Sequence, residues 1–66
     1  MDFLGIEHAL ASSGTRLEIS ALMPGDDVPA EHRWLAELVV ADGHRLAASA
    51  PKHHVVEALI GLEHRV

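Results

Sequence analysis

The chain has 66 residues, no cysteine, and ten acidic against five basic side chains, a net charge of −5 with histidine neutral. The lack of cysteine excludes disulfides, thiolate catalysis and cysteine-based zinc sites, and the acidic balance argues against general phosphate binding. No apolar run is long enough to cross a bilayer, and the first residues lack the basic start of a secretory signal. We therefore expect one small cytoplasmic domain over residues 1–66, with no membrane contact.

A short amphipathic helix is predicted near the N-terminus. Phe3, Ile6 and Leu10 fall at i, i+3 and i+7, which places them on one helical face. Asp2 is a candidate N-cap for a helix that begins at Phe3, and Gly14 is suited to end it at C′.

Three strands are predicted in the middle of the chain. From residue 16 the apolar period changes to two, which indicates a strand up to the Pro-Gly pair at 24–25. Residues 24–31 are typical of an exposed loop. Residues 32–41 and 44–50 form the second and third strands, joined by Asp42-Gly43 as a two-residue type I′ turn. That turn implies the cross-strand pairs Ala41–His44, Val40–Arg45, Val39–Leu46 and Leu38–Ala47.

The last segment predicts a second helix. Pro51 suits the first helical position, where its missing N–H costs nothing, and Val55, Leu59, Leu62 and Val66 form one apolar stripe. The element order is therefore α-β-β-β-α. We predict a two-layer α+β domain, in which a three-stranded antiparallel β-meander carries the N-terminal and the C-terminal helix on one face.

The alternation of the strands predicts a sheet with two apolar faces. The predicted core face carries Leu17, Ile19, Ala21, Trp34, Ala36, Leu38, Val40 and Ala47. The opposite face of an antiparallel sheet is usually polar, yet here it carries four large apolar residues, and exposed apolar patches mark interaction sites. We predict partner-binding residues on this face: Leu22, Leu35, Val39 and Leu46, with His44 as the one histidine whose protonation we expect to weaken association.

Six histidines in 66 residues suggest a possible metal site. His53 and Glu57 stand at i, i+4, and His54 and Glu57 at i, i+3, so each pair lies side by side on the last helix as metal ligands require. A closed zinc site needs four ligands. His44, Asp26, Asp27 or His32 would have to complete it, and for this reason the three residues are weak candidates.

The order of elements resembles the double-stranded-RNA-binding domain. His32 and Trp34 fall where that family has a loop histidine and an aromatic residue, Asp42-Gly43 resembles its hairpin turn, and Pro51-Lys52-His53 falls where its paired lysines begin the last helix. The resemblance implies the α-β-β-β-α fold. Only Lys52 remains of the basic cluster, and those lysines are the groups that hold RNA phosphates.

These patterns favour a small non-enzymatic protein that acts by self-association, as a homo-oligomer (dimer), or by binding another protein. No enzyme activity and no cofactor are predicted, because nucleophile motifs and glycine-rich phosphate loops are missing. One lysine and no Asn or Gln indicate a bacterial or phage genome. Two alternatives stay open: a nucleic-acid-binding module with a degraded RNA-binding-like fold, and a small histidine-rich metal-binding protein.

Overall fold

The computed structural model of the chain describes residues 2–12, 14–23 and 31–66. Its elements are α1 (Leu4–Leu10), β1 (Arg16–Ala21), β2 (Trp34–Val39), β3 (Arg45–Ala48) and α2 (Val55–Glu63). The three strands form one antiparallel sheet in the order β1-β2-β3. The predicted α+β class, the β-meander and the element order are therefore confirmed. The loop predicted at 24–31 lies, except for its last residue, outside the described residues.

The two helices cover the sheet unequally. α2 packs against β2 and β3, and α1 packs mainly against α2, so neither helix packs extensively on β1. We call the face that carries the helices the helix side and the opposite face the outer face. An α-helix is about 10 Å wide and neighbouring strands lie about 4.8 Å apart. One helix therefore spans about two strands, and the third is left largely uncovered.

The buried core is small. Its buried apolar residues form one cluster of Ile6, Ala36, Leu38, Ala58 and Leu62, around which Phe3, Ala9, Leu17, Trp34, Ala47 and Leu59 pack. Val39 is also buried but lies outside this cluster. The prediction that all inward-facing strand residues are buried is wrong for Ile19, which is 42% exposed, and for Ala21. Both lie on β1, beyond the reach of α2. The apolar stripe predicted for α2 is shifted toward Ala58, and Val66 is exposed.

The β2–β3 hairpin differs from the predicted two-residue turn. The N–H of Val40 donates to the carbonyl of His44 at 2.9 Å, which leaves a three-residue loop. A type I′ turn needs positive φ at both central residues, whereas in this turn only Gly43 has it, at 91°. The Asp42 carboxylate instead accepts the N–H of His44 at 2.9 Å.

A register shift follows from that turn. Val39 pairs with Arg45 and not with Leu46, while Leu38 pairs with Ala47 as predicted. Leu46 is therefore the extra residue of a β-bulge, which restores the predicted register for the rest of the strand. The bulge is the reason that the predicted pairs were right on one side of it and wrong on the other.

The cap of α1 comes from the other end of the chain. Phe3 is the N-cap and makes no side-chain cap, and the helix ends at Leu10, before Gly14. The two carboxylate oxygens of Glu63 accept the N–H groups of Gly5 and Ile6 at 2.8 and 2.9 Å. The predicted cap by Asp2 is therefore wrong. A distant carboxylate satisfies the open N–H groups of the first turn and fixes α1 on α2.

α2 begins four residues after the predicted start. Its N-cap is His54, whose backbone N–H donates to Glu57 Oε1 at 3.1 Å. Pro51 precedes the helix because Lys52 still belongs to the sheet: its N–H and carbonyl both bond to Trp34 at 2.9 Å. Backbone pairing with β2 thus prevails over the helix-starting preference of the proline.

Candidate interaction surface

The residues predicted to bind a partner lie at two ends of the outer face. Leu22 and Leu35 are diagonal neighbours at one end, since Leu22 bonds to Arg33 and Leu35 pairs with Ser20. Val39 lies at the other end, next to the hairpin. The directly paired carboxylates Glu18 and Glu37 separate these ends, so the predicted residues do not form one continuous apolar patch.

Two ion pairs occupy the middle of the outer face. Arg16 Nε lies 2.7 Å from Glu18 Oε2 on β1, and Arg45 on β3 bonds to Glu37 on β2. Each arginine thereby compensates one of the two facing carboxylates, which would otherwise repel each other across the strands.

Val39 contributes little surface to this face. It is 6% exposed and lies between Arg16 and Arg45 in the register of the sheet. The aliphatic stems of arginines commonly cover apolar neighbours in this way. Leu22 and Leu35 are half-buried.

Leu46 and His44 both lie next to the hairpin turn, but the register does not bring them together. His44 pairs with Val40, which alternates with the helix-side Leu38, so the prediction that His44 lies on the outer face is wrong. Leu46 is 58% exposed, the most exposed of the four apolar residues predicted for the outer face. His44 is exposed, and its Nδ1 lies 3.9 Å from Asp42 Oδ1. The three-residue turn therefore shifts His44 to the helix side, and the bulge places Leu46 next to Arg45 near the start of β3.

A second apolar surface lies on the helix side, along β1. Ile19 is 42% exposed, Ala21 is exposed, and Met23, which continues the same alternation, is 79% exposed. We call these three residues the β1 margin. The sequence pattern assigned Ile19 and Ala21 to the core, because alternation shows which face a side chain is on but not whether another element covers that face. The shortness of the helical segments is the signal that could have indicated an uncovered strand.

The candidate metal ligands are held by other interactions. Glu57 accepts the backbone N–H of His54, and His53 Nδ1 lies 2.8 Å from the carbonyl oxygen of Glu31. The two imidazole rings lie edge to face with centroids 4.2 Å apart. Among residues 2–12, 14–23 and 31–66, no three His, Asp or Glu side chains are grouped to hold a metal ion. Asp26 and Asp27 lie outside those residues, so the metal site stays a prediction.

Other polar groups have structural roles. The Ser49 hydroxyl is buried and accepts the N–H of Ala36 at 3.1 Å, which completes the β2–β3 ladder where β3 ends. A shallow groove of about 290 Å³ runs beside α2 and is lined by Lys52, Glu57, Ile60, Gly61 and His64. This groove is open and its charges are mixed, so it does not favour one class of ligand.

Comparisons with known proteins found no match for this chain among family models, curated proteins or solved structures. Within the described part of the chain, no helix has both the length and the apolar character needed to cross a membrane. The resemblance to the RNA-binding domain stays a prediction based on element order and a few residues.

Proposed function

We infer that this chain is a small non-enzymatic protein that acts by binding protein, either a second copy of itself or another chain, through apolar surface on its sheet. The observation that carries this proposal is the exposure of large apolar side chains on the strands and their ends. Ile19, Met23 and Leu46 are 42%, 79% and 58% exposed. Apolar surface that one chain leaves in water is buried favourably against a partner.

The size of the core also supports association. Leu38 and Leu62 are the only large side chains that are fully buried in the described part of the chain. A domain of this size buries only about 60% of the surface its unfolded chain exposes, and many small domains add a partner subunit to gain stability. Burial of sheet residues in an interface would add apolar contacts that the single chain lacks.

The residues of the proposal fall into two surfaces. The first is the β1 margin, on the helix side. The second is the outer face, with Leu46 near the hairpin and the half-buried Leu22 and Leu35 at the far end; His44 is set apart from it, because it pairs with the helix-side Val40. Val39 belongs to this face as a supporting residue, because its side chain is covered. We place this activity in the cytoplasm, as the composition predicts.

Molar mass by light scattering on a sizing column tests the proposal. The measurement is made at neutral pH over a range of protein concentrations, with a chelator present so that metal cannot bridge chains. We expect twice the 7.1 kDa mass of the chain at high concentration, and dissociation on dilution. A mass of one chain at every concentration would contradict self-association and leave only the binding of another protein.

A further inference from the structure

Among residues 2–12, 14–23 and 31–66, β1 has a strand neighbour on one side only, so its other edge presents unpaired backbone groups. The N–H of Leu22 bonds to the carbonyl of Arg33, and β1 pairs with β2 in one unbroken antiparallel register. In such a ladder alternate residues bond to the neighbouring strand, so Glu18 and Ser20 bond to β2. Leu17, Ile19 and Ala21 therefore direct their N–H and carbonyl groups away from the sheet. A row of such groups is a template for another strand.

The two edges of the sheet differ in their protection. β3 has four residues and contains the bulge at Leu46. Short length and bulges are features by which natural sheets prevent edge pairing. β1 has six residues and a regular register without a bulge. The edge available for pairing is thus β1.

The side chains of β1 are compatible with a neighbouring strand. On the outer face Arg16 and Glu18 bond to each other, so the edge carries no net charge to repel a second copy. On the helix side Ile19 is 42% exposed although it belongs to an apolar row. A strand placed beside β1 would cover this row and satisfy the outward backbone groups together.

We propose that β1 pairs antiparallel with β1 of a second copy, about a two-fold axis that passes midway between the two copies of Ile19. This proposal rests on the self-association in the proposed function and specifies its surface. The result is a continuous six-stranded sheet with the helices of both chains on the same side. Three pairs of outward-facing residues, Leu17 with Ala21, Ile19 with Ile19 and Ala21 with Leu17, each exchange two hydrogen bonds.

Charge favours this register over the alternative in which the strands are shifted so that Glu18 lies opposite Glu18. Only two two-fold axes pair nearly the whole of β1 and also set outward-facing residues opposite each other. One passes between the two copies of Glu18, and the other passes between the two copies of Ile19. An axis at Glu18 sets that carboxylate directly opposite its own copy, which is destabilising. The axis at Ile19 sets Glu18 opposite Ser20 and places the two exposed isoleucines together.

Single cysteines test the register, since the native chain has none. In a hydrogen-bonded antiparallel pair the Cα atoms lie about 5.5 Å apart, within the range that a disulfide needs. We expect mild oxidation to link Ile19→Cys into a dimer and to leave Glu18→Cys and Leu46→Cys unlinked. Cross-linking of Glu18→Cys in place of Ile19→Cys would overturn the register.

Lysine substitutions test the surface by molar mass. Ile19→Lys places a charge at the axis on a residue that is already partly exposed, and we expect a monomer that retains its circular dichroism spectrum. Val56→Lys, at a position 53% exposed on α2, is the matched control and should stay dimeric. If Leu46→Lys dissociates the dimer and Ile19→Lys does not, self-association stands and the β1 interface is wrong. A native chain that is monomeric would contradict both the self-association and the β1 interface.

Discussion

On the helix side of the sheet, β1 and β2 carry the same apolar alternation but differ in how deeply their side chains are buried. On β2, Ala36 and Leu38 are 0% and 1% exposed beneath α2. On β1, their register partners are Ile19, which is 42% exposed, and the half-buried Leu17. The residue types are similar, so the difference comes from the position of the helices. Alternation therefore determines which way a side chain points, while burial depends on what lies above it.

The largest expected effect distinguishes the two halves directly. Leu38→Ala should destabilise the chain by about 2–5 kcal/mol, because it removes a fully buried side chain and leaves a cavity. Ile19→Ala should cost about 1 kcal/mol in the dilute monomer, because much of that side chain already contacts water. Urea unfolding of both variants at low protein concentration checks this. Equal losses would show that β1 is as well covered as β2.

The contact between the helix ends keeps α1 on α2 and away from β1. Glu63→Ala leaves the N–H groups of Gly5 and Ile6 without their carboxylate, and we expect a loss of about 2 kcal/mol. Gly5 permits the approach, since a Cβ there would lie 2.6 Å from Glu63 Oε2.

A double-mutant cycle in these residues sharpens the test. Gly5→Ala should destabilise the native chain but stabilise the Glu63→Ala variant by up to about 1 kcal/mol, because alanine is the better helix former once the carboxylate is gone. Thermal or urea unfolding of the four proteins measures the sign. The same effect of Gly5→Ala in both backgrounds would mean that Glu63 does not cap α1.

A smaller effect is expected at Ser49, which lies just after β3 and completes the hydrogen bonding between β2 and β3. Ser49→Ala removes the buried acceptor of the Ala36 N–H and should cost about 1–2 kcal/mol. Ser20→Ala is the matched control on β1, where the hydroxyl has no hydrogen bond to any residue that the structure describes; its effect should stay within about 0.5 kcal/mol. Denaturant midpoints of the two variants compare these costs. A Ser49→Ala variant as stable as the control would refute the role of this hydroxyl.

The elements were predictable because their signals are local. Period-two alternation identified β1, the Asp42-Gly43 turn indicated the hairpin of β2 and β3, and the stripe with Leu59 and Leu62 identified α2. The two errors at the helix starts lie where a distant group replaces a local one. Glu63 caps α1 in place of Asp2, and the pairing of Lys52 with Trp34 delays α2 past Pro51. Sequence patterns report neighbours along the chain and carry little information about such tertiary partners.

The candidate surface was predicted only in part, for the same reason. The sequence placed Leu22, Leu35, Val39 and Leu46 on one face, but it could not show that an ion-paired band divides them or that Val39 is covered. It assigned Ile19 to the core because an uncovered strand has the same pattern as a covered one. The predicted meander already implied two free strand edges, but only the fold shows that β3 carries a bulge and that β1 is regular.

Amide hydrogen exchange along β1, followed by NMR at two protein concentrations, tests the central claim most directly. The N–H groups of Glu18 and Ser20 bond to β2 and should be protected at both concentrations. Those of Leu17, Ile19 and Ala21 point to the free edge, so they should exchange readily in dilute protein and become protected as dimer forms. If these three amides exchange equally fast at both concentrations while the chain is dimeric, the β1 edge is not the interface.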